Sequence, residues 1–527
     1  MFILPGFMII FGWTARKRMP ETFFSAYAFF IDRYHLLRKE PIMSINLSLD
    51  NLEASFPADF TEDQKAAAKT LFYKNLALAA HTFYGGKIQV VPSCGVYGLN
   101  WFNAWYTPGV SKISTTIRDD NDTSFALSSR GNMVAVVSDS TRVLGDGDCT
   151  PPGGLGVMEG KAMLMKYLGG VDSIPLCIDS RDESGKNSPE KIIDFVKMVQ
   201  HSVGAVNLED ISQPNCFKVL DELREACDIP VWHDDAQGTA CVTLAGLLNA
   251  LKLTGRSLSD AKIVLLGSGA SNSTIARLIL ADGGDPAKMV VFDTRGGLHA
   301  DRKDIEADKR YYRKWELCQQ TNPKKINDIA EALKGADVLI ALSQPGPDTV
   351  KKEWIFGMAK DSIVFVCANP VPEIWPYAAH EAGAAIVATG RGDFPNQVNN
   401  SVCFPGILKG ALIVRARKIT DAMAIRCAHS IADFSEKLGI SRNNIIATMK
   451  ETELFAVEAA DVAMQAIADG VARVNLTWQQ VYDTALADIK ASRKLTDDMM
   501  KLGHIQEPPQ SMLQEALDKA IAEIKKK

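Results

Sequence analysis

A series of short apolar runs, each closed by an acid, restricts the folds open to this chain more than any other feature. NMVAVVS leads to Asp139, SIPLCI to Asp179, VGAVNL to Glu209 and Asp210, and IPVWH to Asp234 and Asp235. Between them lie stretches with apolar residues at helical spacing, such as GKAMLMKYL and PEKIIDFVKMVQHSV. Strands that alternate with helices imply a parallel sheet, whose ligand crevice lies at the carboxyl ends of its strands. The acidic strand ends are therefore expected along one edge of one sheet. For Asp139 and Asp179 the simpler reading is a cap on the following helix.

A second alternating series follows residue 255. AKIVLLGSGASNSTIARLILA reads as strand, tight glycine turn and helix, and KMVVFD, ADVLIALS, SIVFVCAN and AAIVATG read as further strands. The fold class is thus α/β. Beyond about residue 408 the chain is mostly helical, and MLQEALDKAIAEIKKK reads as an exposed amphipathic helix whose terminal lysines complement its dipole. Nearer the start, residues 62–82 read as helix and KIQVV at 87–91 as a strand.

Composition narrows the function classes. With 527 residues there is length for two or more domains, and 46% apolar with 23% charged residues describes a globular chain. A net charge of −5 without a basic run argues against a nucleic-acid partner. Ten cysteines without a C-x-x-C pair suit a reducing, cytoplasmic setting. The opening MFILPGFMIIFGW is apolar for thirteen residues and is followed by ARKR. It is shorter than the roughly twenty residues that span a bilayer, so no membrane partner is expected. Residues 1–43 read as an extension outside the folded core.

Gly267-x-Gly269 follows a strand and opens a helix, the context of a dinucleotide-binding turn. The first glycine permits the tight turn and the second lets backbone approach a pyrophosphate. Asn272 stands where the third glycine of the pattern would allow close helix packing. Asp293 ends the next strand, within reach of a ribose hydroxyl, and leans the cofactor toward NAD. Arg295, two residues on, would favour the 2′-phosphate of NADP. Glu209, Asp210 and Asp235 offer oxygen-only ligands at two strand ends, which suits Mg2+ or Mn2+; helix caps and surface ion pairs are the alternative. An Asp234 cap on the helix that follows would explain one acid of the adjacent pair but not both.

Seven short motifs in order carry more than any one of them. They are YTPGV at 106–110, VSDSTRVLGDGD at 137–148, VMEGKA at 157–162, NLED at 207–210, HDDAQGTA at 233–240, ANPVPEI at 368–374 and GDFPNQVNNSVCFPG at 392–406. Together they resemble malic enzyme of the bacterial type, from about His81 to Arg417. The resemblance implies a substrate- and metal-binding α/β domain over 44–237, a Rossmann-like doubly wound NAD(P)-binding domain over 238–470 and a helical tail over 471–527. It implies oxidative decarboxylation of L-malate to pyruvate and CO2, with release of lactate and a sensor without catalysis as the alternatives. Glu209, Asp210 and Asp235 would hold the divalent metal, Lys161 would be the general base, Tyr106 the general acid, and Asp234 the partner that tunes Lys161. Such a lysine takes a proton only when neutral, so burial and a nearby metal are expected to lower its pKa. Arg142, Asn369, Asn399 and Asn400 would bind malate. Gly267, Gly269, Ala270, Ser271, Asp293, Arg295 and Ser343 would bind NAD or NADP. A homodimer or homotetramer is implied as well. Asp146 in LGDGD and the Gly- and Pro-rich CTPPGGLG depart from the family pattern immediately before Lys161.

Overall fold

The computed structural model describes residues 49–526 apart from Leu144, so the expected extension over 1–43 lies outside the described residues. In chain order, helix α1 (Glu62–Tyr84) is followed by strand β1 (Met133–Ser138), α2 (Leu155–Gly169), β2 (Asp172–Cys177), α3 (Pro189–Val199), β3 (Ala205–Leu208), α4 (Asn215–Ala226) and β4 (Val231–His233). Helix α5 (Thr239–Leu253) then leads to β5 (Ile263–Leu266), α6 (Ala270–Ala281), β6 (Met289–Asp293), β7 (Gly296–Gly297), α7 (Tyr312–Gln320), β8 (Val338–Ala341), β9 (Ile363–Val366) and β10 (Ile386–Thr389). Helices α8 (Phe404–Ile413), α9 (Asp421–Leu438), α10 (Thr452–Ala468), α11 (Trp478–Lys501) and α12 (Gln510–Lys526) close the chain.

The first sheet is parallel throughout, in the order β2-β1-β3-β4. The second runs β10-β9-β8-β5-β6-β7 and is parallel except for the short edge strand β7. Both are covered on two faces, which is why their strands are unbroken apolar runs. Alternate residues of β1 serve different cores: Val134 and Val136 join one cluster, Ala135 and Val137 another. In β5, Ile263 and Leu265 pack into the first of these clusters, and Val264 into a third. Helix α5 is buried along nearly its whole length, so it reads apolar on all sides rather than as one stripe.

Two compact units divide the described residues. One is formed by residues 49–80 and 508–526, the other by residues 81–507. The division differs from the boundaries expected at 237 and 470, and the helical tail over 471–527 belongs to both units. In the smaller unit α12 is not simply exposed. Its Leu513, Ala516, Leu517, Ala520 and Ile524 pack with Leu52, Phe56, Phe60, Ala68 and Phe72, because a stripe at helical spacing met an apolar counterpart on α1 and the segment before it.

The strand expected over 87–91 does not form. Residues 88–92 have no regular structure and Val90 is 95% exposed; a β-branched run becomes a strand only when another strand accepts its hydrogen bonds. The segment that follows keeps Tyr97, Leu99, Phe102 and Trp105 at the surface.

Candidate active site

The carboxyl edge of the first sheet gathers the acids. Glu209, Asp210 and Asp235 each offer a carboxylate oxygen within 4.8 Å of the other two, and Glu209 and Asp210 are buried. Asp210 adopts a left-handed backbone (φ 53°), a strained conformation for a residue with a side chain. That twist aims its N–H at Asp235 Oδ2 (2.7 Å) and leaves its carbonyl to accept the Arg142 N–H (3.0 Å). Asn207 donates to Glu209 Oε2 (2.9 Å) from the strand that precedes it. Burial first, and the neighbouring acids with it, push the Glu209 carboxyl well above the usual carboxylate range. Oxygen-only ligands whose mutual repulsion is relieved by a cation fit Mg2+ or Mn2+. Asp139 and Asp179 stay outside this group. Asp139 accepts from Thr141 and Ser180, and Asp179 from Arg181, in turns rather than as helix caps.

Lys161 projects from α2 to the same place. Its Nζ lies 3.1 Å from Glu209 Oε1, donates to Asp234, and sits 4.6 Å above the Phe404 ring. Asp234 does not cap α5. It opens a π-helical turn, Asp234–Gly238, where its second oxygen accepts from Trp232 Nε1 (3.3 Å). Gly238 makes the arrangement possible, since a Cβ there would stand 2.0 Å from Asp234 Oδ1. The two adjacent acids thus face different partners, Asp234 the lysine and Asp235 the acidic group. Burial alone would push the Lys161 ammonium toward the neutral form, but Asp234, Glu209 and Asp235 outweigh it and hold the group above its usual range. The expected lowering therefore fails as long as the three acids keep their charge, because carboxylates at contact distance outweigh desolvation.

The second sheet supplies the other wall. Gly267 (φ 101°) lies so near β8 that a Cβ would stand 2.5 Å from the Leu342 carbonyl, which fixes glycine at the turn. Asn272 compensates for the missing third glycine: it is fully buried, and its amide donates to the carbonyls of Leu266 (2.9 Å) and Gly267 (3.1 Å), clasping the turn. Both walls line one cleft of about 1,050 Å³, at the upper end of the roughly 300–1,000 Å³ usual for small-molecule sites. Arg142, Lys161, Glu209, Asp210, Asp235, Gly267, Gly269, Ala270, Ser271, Asp293, Ser343, Asn369, Asn399 and Asn400 all line it.

Three expected residues do not line the cleft. Asp234 is fully buried behind Lys161, Tyr106 is 71% exposed outside the cleft, and Arg295 extends into solvent with Asp304 (3.1 Å). Asp293 is present but already engaged. Arg302 clamps both its oxygens (3.0 and 2.9 Å), and Lys314, a cleft-lining residue, stands 3.8 Å away. The carboxylate on which the lean toward NAD rests is thus shared with Arg302.

Sequence patterns recorded for known proteins match along both halves of this architecture. That of the malic enzyme NAD binding domain covers residues 236–467, and that of the malic enzyme N-terminal domain covers residues 100–224. The chain belongs to the malic enzyme family. The NAD-dependent malic enzyme of Geobacillus stearothermophilus is 41% identical over 390 residues, 74% of this chain and 78% of that protein. The NADP-dependent malic enzyme of Halomonas elongata is 38% identical over 383 residues, 70% of this chain and 87% of that protein. The crystal structure of Entamoeba histolytica malic enzyme matches with a TM-score of 0.89 at 63% identity, over 92% of this chain and 100% of that one. As in other malic enzymes, the reaction is oxidative decarboxylation of malate with NAD or NADP as hydride acceptor, and a divalent metal is typical of the family.

Two sets of contacts that organise this malic enzyme's cleft escape a sequence reading. The Ser271 hydroxyl, expected at the cofactor, donates to the Asp235 carbonyl (2.8 Å) and so joins the glycine turn to the acidic group. Glu373, inside the ANPVPEI motif, accepts from the backbone N–H groups of Ser343 (2.8 Å) and Ala368 (3.1 Å), fixing two cleft loops. Its position in the motif was the only available signal. Among the described residues no helix is long and apolar enough to cross a membrane.

Proposed function

We propose that Glu209, Asp210 and Asp235 hold Mg2+ or Mn2+, and that Lys161 is the base that takes the C2 hydroxyl proton of L-malate as hydride leaves for NAD or NADP. The placement of Lys161 carries this reading, because one ammonium contacts both an acid of the metal group and a separate orienting acid, Asp234. A divalent cation held by these three acids would supply Lewis acidity at the substrate's C2 oxygen. With their charge so neutralised, Glu209 and Asp235 would hold the Lys161 proton less tightly. Asp234 orients the lysine from behind. Arg142, Asn369, Asn399 and Asn400 bind the substrate from the opposite walls, and Gly267, Gly269, Ala270, Ser271 and Ser343 receive the dinucleotide. The domain reading stays with the chemistry: residues 44–237 for substrate and metal, 238–470 for NAD(P), and 471–527 as a helical tail.

Tyr106 donates the proton that C3 requires after decarboxylation, and it does so from a second copy of the chain. Its 71% exposure outside the cleft supports that arrangement, together with exposed Tyr97, Leu99, Phe102 and Trp105 on the same segment, a patch that a homodimer would cover. A cytoplasmic setting without nucleic-acid or membrane partners belongs to the same reading and is supported by ten free thiols.

The test follows reduced nicotinamide by absorbance with L-malate and Mn2+, using NAD and NADP in turn, and then assays pyruvate and lactate. Pyruvate in step with reduced cofactor, lost in Lys161→Ala, is the expected result. Lactate without reduced cofactor would replace this reading with malolactic chemistry. Mixing inactive Lys161→Ala with inactive Tyr106→Phe should restore activity through hybrid dimers. No restoration would place both residues in one protomer's site.

A further inference from the structure

Behind the catalytic cleft lies a second cavity, of about 310 Å³, that shares no lining residue with the first. Phe217 and Leu220 of α4 form one wall, Arg277 of α6 another, and Arg313 and Leu317 of α7 the third; Gln237 belongs to the turn that carries Asp234 and Asp235. Three structural elements of different origin thus enclose a space that reaches the support of the acidic group.

The polar groups of this cavity are unevenly satisfied. Arg313 donates to both oxygens of Asp221 (2.7 and 2.9 Å), and Tyr312 donates to the same carboxylate, so Asp221 is well supplied. Glu316 receives Arg313 Nη1 (3.2 Å). Arg277 gives its two Nη atoms to Asp421 (2.8 and 3.0 Å), whereas a guanidinium carries five N–H donors. Asp421 is shared with Arg224 (3.4 Å), so one carboxylate serves two guanidinium groups, and burial pushes the Arg277 pKa down despite it. Gln237 Oε1 accepts from the His233 N–H (3.0 Å), but its buried Nε2 has no partner among the described residues. Donors are in surplus and the carboxylates are engaged, which calls for a ligand that brings acceptor oxygens. Phe217, Leu220 and Leu317 ask that the rest of that ligand be apolar.

We propose that this rear cavity binds a small carboxylic acid with an apolar body, and that its occupancy is felt at the acidic group through Gln237. The carboxylate takes the spare N–H groups of Arg277, and the apolar body lies against Phe217, Leu220 and Leu317. Ordering of Gln237 then steadies the Asp234–Gly238 turn. The binding half stands on the cavity alone; the coupling half rests on the metal role proposed for Asp235.

Benzoate and its uncharged analogue benzamide are suitable probes, followed by ligand-observed NMR on the full-length protein saturated with L-malate, NADPH and Mg2+, a mixture without a hydride acceptor and so without turnover. Benzoate should bind under these conditions, about tenfold more tightly than benzamide, as expected for charge-assisted bonds to a guanidinium. Binding should be lost in Leu220→Trp, which fills the cavity, and in Arg277→Gln. Displacement of benzoate by malate would place it in the catalytic cleft and overturn the assignment, and so would benzamide binding equally well or benzoate failing to bind. Because benzamide and malate competition are read on the unmodified protein, a misfolded variant does not decide the outcome. Bound benzoate should also shift the apparent KM for malate about twofold or more in the unmodified enzyme but not in Leu220→Trp. An unchanged KM with benzoate shown to be bound would overturn the coupling.

Discussion

The two parallel sheets present acids at the same structural position and treat them in opposite ways. At the end of the first sheet, Glu209, Asp210 and Asp235 converge within 4.8 Å, and the one nearby ammonium, Lys161, is shared with Asp234. At the end of the second, Asp293 is clamped by Arg302 with Lys314 close by. Topology sends both sets of acids to a crevice, but charge balance decides what each crevice is for. An edge left with excess negative charge is suited to a cation. An edge whose acid is already paired offers walls and backbone N–H groups to a ligand that is itself an anion.

The largest expected effect is at the first edge. Lys161→Ala should lower kcat about 10^2- to 10^4-fold, the range for removing a general base, while Mn2+ still binds by calorimetry. Loss of Mn2+ binding in step with kcat would mean that the lysine serves the acids rather than the substrate. Next come two removals of a single charge that should move stability in opposite directions. Asp235→Asn should raise the Tm of the metal-free protein by relieving repulsion and abolish the further rise that Mn2+ gives. Asp293→Asn should instead destabilise by about 1–3 kcal/mol, because it leaves the buried Arg302 guanidinium short of a partner. Equal and same-signed shifts in thermal melts of the metal-free proteins would erase the distinction between the edges.

Much of this contrast was legible in the sequence, and its limits are physical. Apolar runs ending in acids gave the strands and the parallel order, since strands buried on both faces leave an unbroken signature. Gly267-x-Gly269 marked the nucleotide turn because only a residue without Cβ fits against the Leu342 carbonyl. What the pattern cannot carry is pairing at a distance. Arg302 and Lys314 follow Asp293 in the stretch that runs from β6 into α7, yet nothing in their local text says which acid they face. Asn272 looks like a lost glycine until its amide is seen bonded to the Leu266 and Gly267 carbonyls. Lys161 shows the same limit in reverse: burial was predictable, but the carboxylates that outweigh it come from β3 and from the turn after β4. The exposed segment after α1 reads as a strand because its residues are apolar, and apolarity alone does not say whether the cover belongs to the same chain.

Glu373 shows a third treatment of an acid, at the second edge, and gives the contrast a pH dependence. Among the described residues it has no cationic partner; it accepts backbone N–H groups of Ser343 and Ala368, and burial pushes its pKa up to about 7 despite them. A carboxyl whose folded value exceeds its unfolded value binds protons more tightly when folded. Its stabilising contribution is therefore complete below the unfolded value and is lost as pH rises toward 7 and beyond. Thermal melts across this window should show a declining Tm that Glu373→Gln flattens. A decline just as steep in the variant would assign it to other groups.

Lys314 carries the smallest effect and the sharpest test of the second edge. With Asp293 answered by Arg302, and Arg295 paired with Asp304 away from the cleft, the remaining positive charge on this wall among the described residues is Lys314. Burial lowers its pKa from the ordinary lysine value, with Arg302 adding to the effect and Asp293 opposing it, so an incoming anion would favour its charged form. The 2′-phosphate of NADP is such an anion and the ribose hydroxyl of NAD is not. Lys314→Gln should thus reduce kcat/KM for NADP about fivefold, equivalent to ~1 kcal/mol, the interaction of two unit charges in a water-screened cleft, and leave NAD nearly unchanged. Arg295→Gln, which removes an exposed charge outside the cleft, should change neither. If both substitutions act alike on the two cofactors, Lys314 does not read the phosphate, and the pairing of Asp293 with Arg302 serves packing alone.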